Sequence, residues 1–230
     1  MPSKPELVVM LTYDDLTVTN AAEIFESCKQ IPVQYWGFKE QPLPVQEMRA
    51  LFSYMKSCGK TTCLEVVAYD EAAGIAGAET AAACGCDLLM GTCYFDSVRD
   101  ICKANGLRYM PFVGDVTGRP SVLAGDPEEM LAEAKRILAA GADGIDLLGY
   151  RYTGDADALN RRLIAELDAP VCVAGSIDSY ARLDEVLRAA PWSFTIGSAF
   201  FDGCFGGSIP EQIEKVCAYI ERKCRTGVMS

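Results

Sequence analysis

Asp14, Asp15, Lys39, Glu65, Asp115 and Asp146 are the residues of this sequence best placed for chemistry, because each stands within or just after a short apolar run. Charged side chains are uncommon in such runs unless a partner or a substrate holds them. Asp14 or Asp15, together with Asp115, can supply a general base and a general acid to one substrate if their surroundings separate their pKa values. Adjacent aspartates also cap turns. Lys39 and Glu65 read as a lysine and a carboxylate on neighbouring strands. Such a lysine can anchor an anion, offset charge at a reacting centre or, once desolvated, form a Schiff base; the pair can equally be a structural ion pair. No histidine occurs in the chain. Ser-His-Asp and Cys-His mechanisms and His-ligated metal are therefore excluded, and acid–base work falls to Asp, Glu, Lys, Cys and Tyr.

A second group of residues suits anion binding. Gly175-Ser176 and Gly197-Ser198 follow two late apolar runs, and Gly91-Thr92 follows an earlier one. Glycine lets a phosphate approach the backbone, and the hydroxyl and N–H groups donate to it. Tyr150 and Arg151 follow the run that holds Asp146, where they would contact substrate. The stretch from Val113 to Gly125 reads as a long loop carrying Asp115 and Arg119, a lid whose arginine closes on an anionic substrate. Asp14, Glu65, Asp115 and Asp146 also admit a Mg²⁺ reading, but the one Asp-x-Asp, Asp155-Ala156-Asp157, follows a glycine and reads as a helix cap. No metal and no cofactor are expected.

The elements that must position these residues alternate regularly. Short apolar runs suited to strands buried on both faces are Leu7–Leu11, Val33–Phe38, Thr62–Val67, Asp87–Gly91, Arg108–Val113, Gly144–Leu148, Val171–Ala174 and Ser193–Ile196. Between them lie helical stretches with start signals: Asn20 with Glu23, Asp126-Pro127-Glu128-Glu129, Asp178-Ser179 and Ser208 with Glu211. Gly59, Gly106 and Gly141 read as helix stops. Eight βα units in one domain spanning 1–230 predict a (β/α)8 TIM barrel, whose active site lies at the C-terminal ends of the strands. An open doubly wound sheet is the alternative, but no G-x-G-x-x-G follows the first strand.

The sequence also echoes itself. Met90-Gly91-Thr92-Cys93-Tyr94-Phe95-Asp96 matches Ile196-Gly197-Ser198-Ala199-Phe200-Phe201-Asp202 in residue type. Gly37-Phe38-Lys39 matches Gly149-Tyr150-Arg151, Cys63-Leu64 matches Cys172-Val173, and Asp14 or Asp15 matches Asp115. These offsets suggest two duplicated half-barrels.

Composition narrows the partners. Lys plus Arg is 21 and Asp plus Glu is 32, a net charge of −11, which disfavours nucleic acid and anionic membrane. No apolar stretch approaches the length of a membrane span, and Leu7–Leu11 is too short for a signal peptide. The eleven cysteines are odd in number and contain no C-x-x-C, so they read as reduced, buried thiols of a cytoplasmic chain. A homo-oligomer is left open.

The tail, Val171-Cys172-Val173-Ala174-Gly175-Ser176-Ile177-Asp178 and then Phe194-Thr195-Ile196-Gly197-Ser198-Ala199-Phe200-Phe201-Asp202-Gly203, resembles the ribulose-phosphate-binding barrels. The nearest pattern is the histidine-biosynthesis phosphoribosylformimino-aminoimidazole-carboxamide ribotide isomerase and its cyclase relative. The resemblance implies half-barrel duplication, an acid–base pair at Asp14 or Asp15 and Asp115, one phosphate held by Gly91 and Thr92, and another by Gly175, Ser176, Gly197 and Ser198. Lys39 and Glu65-Val66-Val67 depart from that pattern, so the chain reads as a relative other than the histidine enzymes themselves. The leading expectation is an isomerase or epimerase acting on a small phosphorylated sugar or sugar-derived metabolite. The alternatives are a Lys39-dependent lyase of aldolase type and a non-catalytic phosphometabolite-binding protein.

Overall fold

The computed structural model describes residues 4–225. Eight parallel strands line up as β1 (Glu6–Met10), β2 (Tyr35–Lys39), β3 (Thr61–Val66), β4 (Leu88–Gly91), β5 (Arg108–Met110), β6 (Ile145–Leu147), β7 (Val171–Val173) and β8 (Ser193–Ile196). Each pairs with its sequence neighbours except across β5 and β6, and β8 returns to β1. The circle closes between β5 and β6 through a single parallel bridge, Phe112 to Asp146. Pro111 shortens β5, because it has no N–H to give the ladder; its carbonyl still accepts from the Asp146 N–H at 2.9 Å. The expected barrel is thus the observed one, with strand ends within a few residues of the expected positions. Among the described residues no helix is long and apolar enough to cross a membrane.

The helices are α1 (Ala21–Cys28), α2 (Val45–Ser57), α3 (Glu71–Cys84), α4 (Asp96–Ala104), α5 (Pro127–Ala140), α6 (Ala156–Glu166), α7 (Tyr180–Ala189) and α8 (Ile209–Arg225), with a one-turn helix at Ser198–Phe201. Their start signals act largely as expected. Asp126 accepts from the N–H groups of Glu128 and Glu129, Asp155 from Ala158, and Ser179 from Arg182. Asn20 is the exception: it occupies the cap position of α1 but its side chain makes no capping bond. Asp155 thus takes the helix-cap role expected of it.

Two hairpins were not expected. Thr12–Tyr13 pairs with Leu16–Thr17 just past β1, and Asp115–Thr117 pairs with Val122–Ala124 just past β5. The second replaces the irregular lid loop. Its core-facing residues Val116 and Leu123 are buried, which fixes its base.

Inside the barrel, side chains stack in layers drawn from alternate strands. Following the strand registers around the barrel brings Gly37, Met90, Asp146 and Thr195 level, with Val8, Cys63, Met110 and Cys172 beneath them and Met10 and Glu65 above. The layer beneath is apolar or thiol-bearing and buried throughout. Gly37 belongs there for want of space: a Cβ would lie 2.8 Å from the Cys63 carbonyl and 2.9 Å from the Met10 sulfur. Gly37→Ala is expected to cost about 1–3 kcal/mol of stability through overpacking. Denaturant unfolding checks this, and an unchanged midpoint would show that the layer yields.

Candidate functional site

Lys39 ends β2 and Glu65 sits directly opposite it on β3. The pleat turns both inward, so the lysine Nζ lies 3.3 Å from Glu65 Oε1. The same ammonium hydrogen-bonds Asp15. Lys39 is 8% exposed as a residue. Burial works against its charge, but Glu65 and Asp15 together outweigh that effect and leave its pKa above the ordinary lysine value.

Asp15 reaches the lysine because of the turn that carries it. Asp14 and Asp15 are the two central residues of the Thr12–Thr17 hairpin and both have positive φ, 47° and 64°. Right-twisted strands favour such a turn, but non-glycine residues adopt it at a cost of about 1 kcal/mol each. The outcome is that Asp14 points to solvent while Asp15 turns into the barrel mouth, its side chain only 12% exposed. Arg119 then closes over it from the second hairpin. Its guanidinium lies 3.6 Å from Asp15 Oδ2, pairs with Glu40 and donates to the Val67 carbonyl at 3.1 Å. Tyr69 fixes the same hairpin, its hydroxyl donating to the Gly118 carbonyl at 2.6 Å. Arg119→Ala is expected to speed amide exchange across 117–121, while global stability falls by about 1 kcal/mol or less, as for a part-exposed ion pair. Unchanged exchange would show that Tyr69 alone holds the hairpin.

A cavity of about 210 Å³ opens above Lys39, with Glu65 and Asp15 on its floor. Gly175, Ser176, Gly197 and Ser198 form the opposite wall, and Arg151 joins them. Arg182 lies behind, its guanidinium 4.2 Å from the Tyr150 ring centre and 3.3 Å from the Ser176 carbonyl. The wall is of mixed charge: Lys39 and Arg151 share it with Asp15, Glu65, Asp178 and Asp202.

One layer below Glu65, Asp146 is 1% exposed. Neither of its carboxylate oxygens has a hydrogen-bond partner among the described residues. Burial first, and then the negative charge of Glu65, push its pKa well above the usual carboxylate range, and Lys39 only partly opposes this. Asp146 is therefore a carboxyl beneath the cavity floor, not on the cavity wall.

Several expected residues lie elsewhere. Asp115 is exposed and does not line the cavity. The barrel strand ends at Met110, and Gly114 (φ +79°) turns the chain outward before Asp115 is reached. The proposed pairing of Asp14 or Asp15 with Asp115 across the mouth is thus not assembled. Gly91 and Thr92 do not form a second anion cradle: Thr92 is fully buried and its hydroxyl bonds that of Tyr109 at 2.6 Å. Tyr150 packs under Arg182, and burial pushes its phenol above the ordinary value. Sequence reasoning missed Glu40 and Arg182. Glu40 follows Lys39 directly, and Arg182 stands six residues after Ser176 on the first turns of α7; neither carries a motif. No group of three or more His, Cys, Asp or Glu side chains able to hold a metal occurs among the described residues.

No protein-family model matches the chain, and no curated protein matches it. Solved structures do. A structure described as "Native KDPGal structure" superposes with a TM-score of 0.71 at 15% identity, covering 97% of this chain and 98% of that one. Tryptophan synthase from M. tuberculosis gives 0.65 at 14% identity, covering 94% and 93%. A 4-hydroxy-2-oxoglutarate aldolase/2-deydro-3-deoxyphosphogluconate aldolase from TTHB1 gives 0.59 at 16%, covering 97% and 94%. At such identities the likeness establishes the barrel fold that the resemblance implied, and the fold alone. It does not single out the histidine-biosynthesis pair.

Proposed function

We propose that this barrel is a carbon–carbon lyase of aldolase type, in which Lys39 forms a Schiff base with a small carbonyl compound bearing an anionic group. The observation that carries the reading is the amine of Lys39 on the cavity floor, flanked by Asp15 and Glu65. An iminium carries the same single positive charge as an ammonium. Carboxylates that hold the resting lysine therefore also hold the covalent intermediate, with no charge left to rebalance. In the first step the ammonium passes a proton to Glu65 and the freed amine attacks the carbonyl carbon. Glu65 returns the proton to the oxygen, which takes a second from the nitrogen by the same route and leaves as water. Cleavage then sends the electrons of the adjacent carbon–carbon bond into the iminium, and the substrate hydroxyl gives its proton to a floor carboxylate. Gly175, Ser176, Gly197, Ser198 and Arg151 would take the anionic group, a phosphate in the first instance. One of the similar folds is described as an aldolase, which is consistent with this choice.

Borohydride reduction in the presence of aldehydes and 2-oxo acids, each with and without phosphate, tests the reading. A carbonyl-dependent mass increase on the peptide containing Lys39 is expected. Absence of an adduct across the panel would overturn it. A second reading, an isomerase or epimerase, is favoured by the raised pKa of Lys39. There the lysine stays an ammonium beside a developing enolate, and Asp15 or Glu65 moves the proton. Substrate-dependent exchange of a carbon-bound deuteron without any trapped adduct would select it. The free state of all eleven cysteines suits a reducing, cytoplasmic compartment. The half-barrel echoes are read as ancestry by duplication; the two halves now differ, since Gly91-Thr92 is sealed while Gly197-Ser198 faces the cavity.

A further inference from the structure

We propose that Asp146 is a positioning residue of the Lys39 centre: it holds one proton in common with Glu65, and the proton rests on Asp146 between turnovers. The inference rests on the reading of Lys39 as the reacting amine, but the location of the proton is testable without it.

The geometry is a vertical stack. Lys39 stands at the mouth, Glu65 beside and below it, and Asp146 one layer lower on the far side of the barrel. Gly37 occupies the level of Asp146 on the opposite strand and presents no side chain to it. The groups facing Asp146 are few. β2 and β3 contribute Lys39, Glu65 and the Cys63 thiol, β7 contributes Cys172, and β4 offers the Gly91 backbone N–H. β8 places Ser193 beside Cys172, with its buried hydroxyl facing that thiol. The one cation in this set, Lys39, is already engaged by Asp15 and Glu65. A third carboxylate in the barrel would have no counter-charge of its own, and the Gly91 N–H approaches it without completing a hydrogen bond, too little to offset its burial. A carboxylic acid there is neutral and keeps an O–H to give.

Glu65 is the group that can use it. Imine formation requires Glu65 to act as a base towards the ammonium and as an acid towards the departing oxygen. A proton moved from Asp146 to Glu65 carries negative charge the other way, so nothing is gained or lost by the pair. Two carboxyls sharing one proton let Glu65 serve in either sense without drawing on solvent. Asp146 does not line the cavity and acts only through Glu65.

Infrared titration decides the matter on the intact protein. The wild type at neutral pH is expected to show a protonated-carboxyl C=O band that is missing from Asp146→Asn. In Glu65→Gln the same band should disappear at lower pH than in the wild type, because a negative neighbour has been removed. No such band, or a band whose titration ignores Glu65→Gln, overturns the proposal. Trapping with pyruvate and glycolaldehyde supplies the functional readout. In Asp146→Asn the aldehyde concentration for half-saturation should stay within about twofold, while the rate of imine formation falls at least tenfold and its pH profile flattens. Equal rates in both proteins would also overturn the proposal. Failure of the wild type itself to form an adduct would defeat the Schiff-base reading instead, and the infrared titration would still place the proton.

Discussion

Lys39→Met is expected to abolish the trapped adduct and to lower stability by about 3–5 kcal/mol, the range seen when one partner of a buried ion pair is removed. Asp15 and Glu65 would then face each other across the floor with no ammonium between them. Arg119 would still reach Asp15 but not Glu65. For a chain of this size the loss corresponds to roughly 6–20 °C in Tm. Lys39→Arg separates the two roles. Its guanidinium keeps the positive charge but forms no imine, so the adduct should vanish while less than half of the stability is lost. Thermal unfolding with and without borohydride and a carbonyl compound reads both. An Arg variant that traps label elsewhere at wild-type yield would remove Lys39 from the chemistry. A Met variant as stable as the wild type would show that water screens the floor carboxylates more fully than their burial implies.

The second large effect is a dependence of stability on pH at Asp146. Its folded pKa is raised by burial and by Glu65. Below the unfolded-state value, near 3.9, both states carry the proton and the residue contributes no slope. As pH rises through that value the unfolded chain releases the proton and the folded chain keeps it. Stability then declines by about 1.4 kcal/mol for each pH unit until the folded group titrates in its turn. Asp146→Asn lacks this term, so it should gain on the wild type steadily with increasing pH. Urea unfolding of both proteins at several pH values gives the difference. A flat difference would mean that Asp146 ionises in the barrel much as it does in the unfolded chain.

Much of the barrel was legible because strands buried on both faces and capped helices leave strong local marks. Ser193–Ile196 coincides with β8 at both ends, and Asp126-Pro127 starts α5 where expected. The pairing of Lys39 with Glu65 was legible for the same reason: adjacent strands and a common pleat set it. The hairpins were not. Asp14-Asp15 is an unfavourable pair at positive φ, and its turn is held by tertiary contacts that no short window contains. Asp115 failed as a candidate for a related reason. Its place depended on where β5 stopped, and that was decided by Pro111 and by the outward turn at Gly114. The burial of Thr92 likewise hangs on Tyr109, a long-range partner invisible in sequence.

The β5–β6 seam bears on how Asp146 communicates with the outside. Asp146 itself supplies the one residue-to-residue bridge by which those strands meet, opposite a proline-shortened neighbour. The other inward routes are filled by methionine, valine and cysteine side chains. Hydronium and hydroxide then reach this carboxyl by way of Glu65, which lines the cavity, or through an opening of the seam. Its exchange with bulk water is thereby gated by whatever sits on the cavity floor. A bound substrate would close that route, so the proton is held within a catalytic cycle and re-equilibrates with external pH between cycles.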